Sequence, residues 1–421
     1  MRHLRPVHAA SSFRPLAIAL AGLGALAVAM GIGRFAFTPL LPLMMAEGTV
    51  TLPGASLLAS SNYFGYLLGA GLLTLQPWLW RRLGWSVALN GPTLIRGGLV
   101  ATALVTAAMA LPWPAAWAWW RFAAGLASAV VFLYTSGWCL EQLARRGVPA
   151  MGALIYVGPG LGIVTSGLAA SALVATHAPA ADGWFLFGVL ALVLTVVVWR
   201  VFDAHRALPA PAATSASGAN AKGEEADVVE MGLLAGAYSL AGLGYIVTAT
   251  FLPVIARLTL PGSRWLDLFW PLFGVGVILG ALAASRLRGP GDQRLRLAAC
   301  YVIQAIGVAA SLVSPTLAGF AIGSVLLGLP FTAITFFAMQ EARRLRPQHP
   351  TSFMGLLTVL WGLGQMVGPP IAAVLVAHAS STAAGFTQSL WCATGALLVG
   401  AGLYLLLACV YPVRSGSAHP R

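Results

Sequence analysis

The chain alternates between long apolar runs and short gaps that hold charge, proline or glycine. The runs match the roughly 20 apolar residues that an α-helix needs to cross the hydrocarbon core of a bilayer. The pattern predicts an all-α membrane protein with twelve spanning helices, near residues 16–45, 55–79, 86–111, 115–140, 149–175, 183–202, 231–256, 265–285, 297–314, 316–339, 352–377 and 386–411.

Composition excludes a soluble globular protein. Of the 421 residues, 59% are hydrophobic and 8% are charged, whereas an average soluble domain carries about 25% charged residues. A formal charge of +13 would suggest a nucleic-acid partner in a soluble protein. Here the basic residues lie in the gaps between apolar runs, so we expect a lipid bilayer and no nucleic acid as partner.

Positive charge favours one side of the predicted membrane protein. Nineteen Arg and Lys residues fall on the side of the N-terminus, against two, Arg257 and Arg264, on the other side. Because cytoplasmic loops carry the excess of positive charge, this distribution predicts that both termini are cytoplasmic. The predicted tails comprise residues 1–15 and 412–421.

The region between the sixth and seventh runs differs from the rest of the chain. Residues 203–230 are rich in Ala, Pro, Ser, Gly and acidic residues, which predicts a disordered cytoplasmic linker. It would separate two six-helix bundles, residues 16–202 and 231–411. We assign Glu230 to this linker and Asp292 to a later loop.

The two predicted bundles share an internal repeat. Segments match at offsets of 211, 211 and 210: GIGRFAFTPLLP from Gly31 with GLGYIVTATFLP from Gly242, GYLLGA from Gly65 with GVILGA from Gly276, and Gly158-Pro159 with Gly368-Pro369. These matches indicate a duplicated six-helix unit and two pseudo-symmetric bundles. Transporters that alternate access to a midplane site use such repeats.

Two segments carry a family resemblance. GIGRFAFTPLLPLM and AGLGYIVTATFLPVIAR resemble the major facilitator superfamily, whose pattern extends over the whole chain, and within it the uncharacterised bacterial YbfB/YjiJ subfamily. The resemblance implies the major facilitator fold. It also implies a bacterial inner-membrane secondary transporter that moves a small organic solute, with protons as coupling ion. We expect a monomer without a cofactor or metal.

Further motifs suggest coupling and gating residues. Arg121, with a glycine four residues later, resembles the family's RxxxG signature, whose arginine is associated with proton coupling in some members; a structural charge bonded to carbonyls is the alternative. Gly158 and Pro159 resemble a signature associated with antiporters. With their repeats Gly368 and Pro369, they are predicted to act in gating.

The loop after the second span departs from the family pattern GxxxDRxGRR. The aspartate of that pattern would fall at Arg81, and only Arg82 and Gly84 agree with it. We keep Arg82 as a gating candidate. Without the aspartate, another contact must hold the closed cytoplasmic side, or the two states are balanced differently.

Arg34 is the sharpest candidate for binding. It lies deep in the first span, where a charge costs at least about 2.5 kcal/mol by insertion scales. Nearby glycines and prolines predict a broken or kinked helix that lines a site. The guanidinium would bind a carboxylate or another anion; a structural pair with an acid or with carbonyls is the alternative.

Uncharged polar side chains complete the predicted substrate site. Tyr245 is the repeat counterpart of Arg34, although helix packing explains it equally well. Trp361 and Gln365 lie four residues apart and therefore share a helix face. Gln304 and Asn62 are further candidates, for which interhelical hydrogen bonding is the alternative.

Acidic residues are scarce within the predicted spans. Glu141 and Glu341 lie beside arginines at the inner ends of spans four and ten, which predicts gating ion pairs. Asp267 is a candidate coupling residue near the outer surface, where shielding would raise its pKa. The alternative is a helix-start acid that is stabilised by the helix dipole.

Two other functions remain open at this point. Drug or metabolite efflux by proton antiport agrees with the Gly158-Pro159 signature. A membrane-embedded transferase would need converging acids, bases or a metal at one face, which the distribution of His, Asp and Glu does not offer. We therefore predict no catalytic residues.

Overall fold

The computed structural model describes residues 14–85, 90–203, 228–263, 265–287, 291–346 and 350–412. The predicted tails and linker lie almost entirely outside the described residues. The described parts contain no strand and form twelve helical spans: α1 Pro15–Ala46, α2 Leu52–Leu83, α3 Gly91–Ala108, α4 Pro114–Arg145, α5 Pro149–Ala175, α6 Ala180–Trp199, α7 Val228–Thr259, α8 Leu266–Arg286, α9 Gln293–Val313, α10 Leu317–Leu345, α11 Pro350–His378 and α12 Thr382–Val410.

The spans have the length and composition of membrane helices. Eleven of them are both long and apolar enough to cross a bilayer, and the more polar α2 is the exception. Side-chain caps begin several spans: Thr51, Asn90 and Thr316 each accept a hydrogen bond from the backbone N–H three residues later. The polar gaps in the sequence therefore set the helix starts.

The helices pack as two bundles, α1 to α6 and α7 to α12. Between the bundles, α2 runs along α11, α5 runs along α8, and the second part of α1 contacts α7. We call the membrane face where α1 begins and α12 ends the terminal face, and the other the opposite face. The predicted all-α fold with two six-helix bundles is confirmed.

One pair of glycines shows the pseudo-symmetry directly. A Cβ atom on Gly65 of α2 would overlap the carbonyl of Phe122 on α4. A Cβ atom on Gly276 of α8 would overlap the carbonyl of Val325 on α10 in the same way. Since small residues let membrane helices approach closely, the repeated GYLLGA and GVILGA segments make equivalent helix crossings in the two bundles.

Helix α1 is irregular where the sequence predicts a break. Its middle part, Ala27–Arg34, is a π-helix, followed by an α-helical part from Phe37 to Ala46. Its repeat counterpart α7 is a continuous α-helix. Because π-helical segments are rare and occur frequently at functional sites, the break indicates that the region of Arg34 is a candidate site.

Candidate functional site

Arg34 ends the π-helical part of α1 and lies between the bundles. Its side chain is buried, and its Nη2 donates a hydrogen bond to Oε1 of Gln365 on α11 at 2.7 Å. The guanidinium lies over the Tyr66 ring, 4.0 Å from its centroid. Among the described residues, its Nε has no hydrogen-bond partner and no carboxylate pairs with it.

Gln365 connects Arg34 to the second bundle. Its Nε2 donates a hydrogen bond to the Tyr245 hydroxyl oxygen on α7. The Trp361 ring stacks on the Tyr245 ring with centroids 5.5 Å apart and an interplanar angle of 27°. Four of the six predicted binding residues thus lie together, and we call Arg34, Tyr245, Trp361 and Gln365 the central cluster.

Further aromatic side chains surround the central cluster, and sequence analysis missed them. Tyr63 and Tyr66 of α2 approach the Arg34 guanidinium. Tyr238 packs against Trp361 at 4.8 Å, and Phe331 packs edge-on against Tyr245 at 5.1 Å between ring centroids. The available signal was weak, because aromatic residues at helical spacing are usual in any apolar core.

Arg121 and Asn62 contact the backbone of α1 instead of the cluster side chains. Arg121 donates from Nη1 to the Gly33 carbonyl at 3.1 Å and from Nη2 to the Arg34 carbonyl at 3.0 Å. Asn62 Nδ2 donates to the Gly33 carbonyl of α1 at 3.5 Å and to the Arg121 carbonyl of α4 at 2.9 Å. Both residues therefore hold the end of the π-helical segment, which positions Arg34.

Gln304 lies apart from the central cluster. Its Nε2 donates to the Leu327 carbonyl at 3.1 Å, which joins α9 to α10 within the second bundle. Its Oε1 has no partner among the described residues. The contact is the interhelical hydrogen bond that we weighed as the alternative.

Asp267 lies near the opposite face, in the 3-10 turn Leu266–Leu268 that begins α8. It pairs with Arg257 at 2.5 Å, and its carbonyl accepts a hydrogen bond from Ser171 of α5 at 3.2 Å. These three residues line a cavity of about 780 Å³. Asp267 therefore lies at a contact between the bundles, partly exposed and ion-paired.

The candidate gating residues at the terminal face do not connect the two bundles through any described ion pair. Glu141 pairs with Arg145 on the same helix, α4. Arg82 lies over the ring of Trp78 on its own helix, 5.3 Å from the centroid. Glu341 is buried and pairs with residues of the second bundle alone. Their role in gating stays a prediction.

The two glycine-proline pairs lie at equivalent crossings but in different helix geometry. A Cβ atom on Gly158 would overlap the carbonyl of Leu23 on α1, and one on Gly368 would overlap the side chain of Ile246 on α7. Helix α5 changes from 3-10 to α geometry at Gly158, just before Pro159. Helix α11 stays α-helical through Pro369.

Glu341 belongs to a second group of charged residues near the terminal face. The group joins the starts of α7 and α9 to the end of α10, and we call it the terminal cluster: Glu230, Asp292, Arg294, Glu341 and Arg344. Glu230, expected in the linker, lies in the first turn of α7 because the helix starts three residues earlier than predicted.

The Arg294 side chain is the centre of the terminal cluster. It is fully buried and donates to Asp292 at 2.7 Å, to Glu230 at 3.3 Å and to the Leu407 carbonyl at 2.9 Å. Burial raises the pKa of the Asp292 carboxyl, but hydrogen bonds from Arg294 and the charges of Arg294 and Arg344 outweigh it. The pKa of Asp292 consequently lies below its usual value.

The fold resembles solved transporters at low sequence identity. A mutant of the nucleoside transporter NupG superposes with a TM-score of 0.67 at 13% identity, covering 93% of this chain and 99% of that chain. The human organic anion transporter MFSD10 (TETRAN) gives a TM-score of 0.60 at 14% identity, with coverage of 93% and 100%. No curated protein matches the chain in sequence. At these identities the likeness shows the shared fold.

A family model supplies the evidence from sequence. The model is described as "Uncharacterised MFS-type transporter YbfB" and matches residues 26–405. This range contains both the central cluster and the terminal cluster, and it confirms the predicted resemblance. The chain is a multi-pass membrane protein that belongs to the YbfB family of uncharacterised transporters of the major facilitator superfamily.

Proposed function

We propose that the protein is a secondary active transporter that moves a small organic anion across the bacterial inner membrane by alternating access. The observation that carries this proposal is the buried guanidinium of Arg34. It lies between the bundles, is hydrogen-bonded to one side chain of the other bundle, and is paired with no described carboxylate. A charge in this environment is costly unless an anion compensates it.

The contacts between the bundles support alternating access. Besides the Arg34 to Gln365 bond, four side-chain hydrogen bonds join the bundles between the centre and the opposite face. Ser60 donates to the Met366 carbonyl at 3.0 Å, and Ser171 donates to the Asp267 carbonyl at 3.2 Å. Thr38 donates to the Ala249 carbonyl at 2.9 Å, and the Tyr63 and Thr250 hydroxyls are 3.0 Å apart. These bonds close the opposite face, and they must break when that face opens. Thr38 and Ala249 are repeat counterparts, so the closed contact lies on the pseudo-symmetry axis.

Orientation and coupling complete the proposal. Both termini are cytoplasmic, so the closed opposite face is the outer one. Protons are the coupling ion, and the protein acts as a monomer. Asp267 is the proposed proton carrier, because it lies at the contact with α5 where opening would separate it from Ser171. Arg121 acts on coupling through the backbone of Arg34, which its guanidinium holds.

Efflux by proton antiport is the second candidate for direction. The change of α5 from 3-10 to α geometry at Gly158 favours it, since this point coincides with the crossing of α1. A helix that changes geometry at a crossing is a place where one bundle can bend during the transport cycle.

The test of function starts with the purified full chain and a library of organic anions, neutral metabolites and cationic drugs. A ligand at 100 times its Kd raises the stability of the folded state by about 2.7 kcal/mol, which shifts the melting temperature. We expect stabilisation by anions in the wild type and none in Arg34→Gln. Arg96→Gln is the matched control, because Arg96 lies at the periphery and donates to the Trp199 carbonyl.

Solutes found in this way are then followed in proteoliposomes with an imposed pH gradient. Uptake driven by inward proton flow supports symport, and expulsion against it supports antiport. Asp267→Asn should abolish the response to the gradient while Asp182→Asn, at an exposed position, keeps it. A wild-type protein that moves no member of the library, with or without a gradient, would overturn the proposed function.

A further inference from the structure

We propose that the transported anion is an aromatic monocarboxylate whose carboxylate replaces the Gln365 amide between Arg34 and Tyr245. The inference rests on the proposed transport function and narrows it to one chemical class. Three observations support it: the hydrogen bonds of Gln365, the charges available at the site, and the aromatic rings around it.

The Gln365 amide holds the place that a carboxylate would take. Its Oε1 accepts a hydrogen bond from Arg34 at 2.7 Å, and its Nε2 donates to the Tyr245 hydroxyl oxygen. A carboxylate has the same planar shape with two acceptor oxygens. One oxygen would accept from Arg34. The other would accept from the Tyr245 hydroxyl, which then acts as donor.

A carboxylate would also compete well with the amide for Arg34. A hydrogen bond between a guanidinium and a carboxylate is charge-assisted and roughly twice as strong as a neutral one. The Arg34 Nε, which has no partner among the described residues, offers a further donor for a bidentate contact. Gln365 thus acts as an internal substitute that the solute displaces.

The site offers one positive charge and no negative one. The guanidinium of Arg121 is engaged, because its Nη1 and Nη2 both donate to carbonyls of α1. In the described part of the chain, no carboxylate pairs with Arg34 or Arg121. The cluster therefore lacks an acid for an ammonium group. For a second carboxylate, Arg121 keeps only its Nε without a partner among the described residues. This favours a monoanion over an amino acid or a dicarboxylate.

The rings beside the proposed carboxylate position favour a flat apolar body. Trp361 lies between Tyr238 and Tyr245, with centroid distances of 4.8 and 5.5 Å, and Phe331 closes on Tyr245 at 5.1 Å. Aromatic pairs contribute beyond the area they bury, by an amount equal to about two- to tenfold in affinity. A planar ring is thus preferred over a saturated ring of equal size.

Binding to the purified full-length wild type tests the inference with four matched probes. They are phenylacetate, cyclohexylacetate with a saturated ring, phenylacetamide without the charge, and phenethylamine with the opposite charge. We expect phenylacetate to bind best and cyclohexylacetate about two- to tenfold more weakly. Phenylacetamide should bind at least about tenfold more weakly, because it loses the charge-assisted bond. Phenethylamine should not bind.

Two variants distinguish displacement of Gln365 from direct contact with it. Gln365→Leu removes the competing amide, so phenylacetate should bind as tightly as in the wild type or more tightly. Tyr245→Phe removes the donor hydroxyl and should weaken phenylacetate about three- to tenfold. Tyr301→Phe is the control, since Tyr301 is also buried in the second bundle but donates to the Ala237 carbonyl. It should leave the affinity unchanged.

The outcomes separate failure of the inference from failure of the function. If cyclohexylacetate or phenylacetamide binds as well as phenylacetate, or if Gln365→Leu weakens phenylacetate, the inference is wrong. The proposed function survives if another library solute is transported and depends on Arg34. If no solute of any class binds or moves, both proposals are wrong.

Discussion

The central and terminal regions each hold a buried guanidinium, that of Arg34 and that of Arg294, but their charges are balanced in opposite ways. In the terminal cluster, two guanidiniums face three carboxylates, and each arginine forms several ion pairs. In the centre, the guanidiniums of Arg34 and Arg121 meet carbonyls, an amide and aromatic rings, and no described carboxylate pairs with them.

The charges of the terminal cluster pair with one another and stabilise the fold, whereas the central arginines have no partner of opposite charge among the described residues. The terminal cluster connects three helices of one bundle, α7, α9 and α10, which would move together in the proposed transport cycle. The central cluster connects different bundles, α1 with α7 and α11. In the proposed cycle, an anion binds and leaves at the central cluster, whereas the carboxylates of the terminal cluster stay in place.

The largest expected effect comes from Arg294→Leu. The change removes the side-chain donor of the half-buried Asp292 and leaves the buried Glu230 with Arg344 alone, and breaking a buried ion pair costs about 3 to 5 kcal/mol. We expect a large drop in folded yield and in melting temperature. The exposed Arg286→Leu is the control and should stay within about 0.5 kcal/mol of the wild type. A wild-type melting temperature in Arg294→Leu would show that the terminal cluster does not stabilise the fold.

Arg34→Leu should give the reverse pattern. It removes a buried charge that has no described acid, so the melting temperature should stay the same or rise, as when buried ion pairs are replaced by apolar residues. Binding of the anion found in the library should weaken about 10- to 100-fold, since bonds to charged groups contribute about 1.5 to 3 kcal/mol. Melting in detergent and ligand titration measure the two effects separately. If Arg34→Leu lost stability as well as binding, the role of Arg34 would be to stabilise the fold.

Arg121→Leu should fall between these two variants. It leaves the Arg34 carbonyl without its side-chain donor and the Gly33 carbonyl with Asn62 alone, at 3.5 Å. An unsatisfied buried group costs about 1 to 3 kcal/mol. We therefore expect a moderate fall in melting temperature together with weaker anion binding, because the backbone beneath Arg34 is released. Arg96→Leu is the comparison variant, because it loses only partly exposed contacts, to the carbonyl and ring of Trp199 and to Asp203. An Arg121→Leu protein that keeps its stability but loses proton-driven transport would point to a direct role in coupling.

The sequence predicted the fold and the central cluster better than the terminal cluster. Apolar runs of membrane length specify the spans almost alone, since a bilayer allows few other structures. Arg34 was visible as a charge inside an apolar run. Its partners followed from local rules, the repeat offset for Tyr245 and the four-residue helix spacing for Trp361 and Gln365.

The terminal cluster was predicted only in part, as an ion pair of Glu341 with neighbouring arginines, because its other members come from distant gaps in the sequence. Glu230 and Asp292 read as ordinary loop acids, and their partner Arg294 was counted with the positive charge of its side. Only the packing of α7, α9 and α10 brings them together. The hydrogen bonds from Arg121 to the α1 carbonyls could not be predicted either. A sequence does not show which backbone carbonyls are left free where a helix is irregular.

The smallest predicted effect is the pH dependence of the melting temperature, which we expect to come from the terminal cluster alone. The pKa of Asp292 lies below its usual value in the folded protein. Its contribution to stability is therefore present above the unfolded value of about 3.9 and is lost as the pH falls through the folded pKa. Melting between about pH 6 and 3 should show a steeper decline in the wild type than in Asp292→Asn.

The same series of pH values compares the two clusters within one experiment. Arg34→Leu should decline with pH as the wild type does, because no described carboxylate titrates against Arg34. In the Arg294→Leu background, Asp292→Asn should change the slope less or in the opposite direction, since burial, which raises the pKa of Asp292, is then opposed only by a backbone hydrogen bond and the charge of Arg344. If Arg34→Leu changed the pH dependence of the melting temperature and Arg294→Leu did not, an acid would pair with Arg34. The contrast between the paired terminal charges and the unpaired central charges would then be wrong.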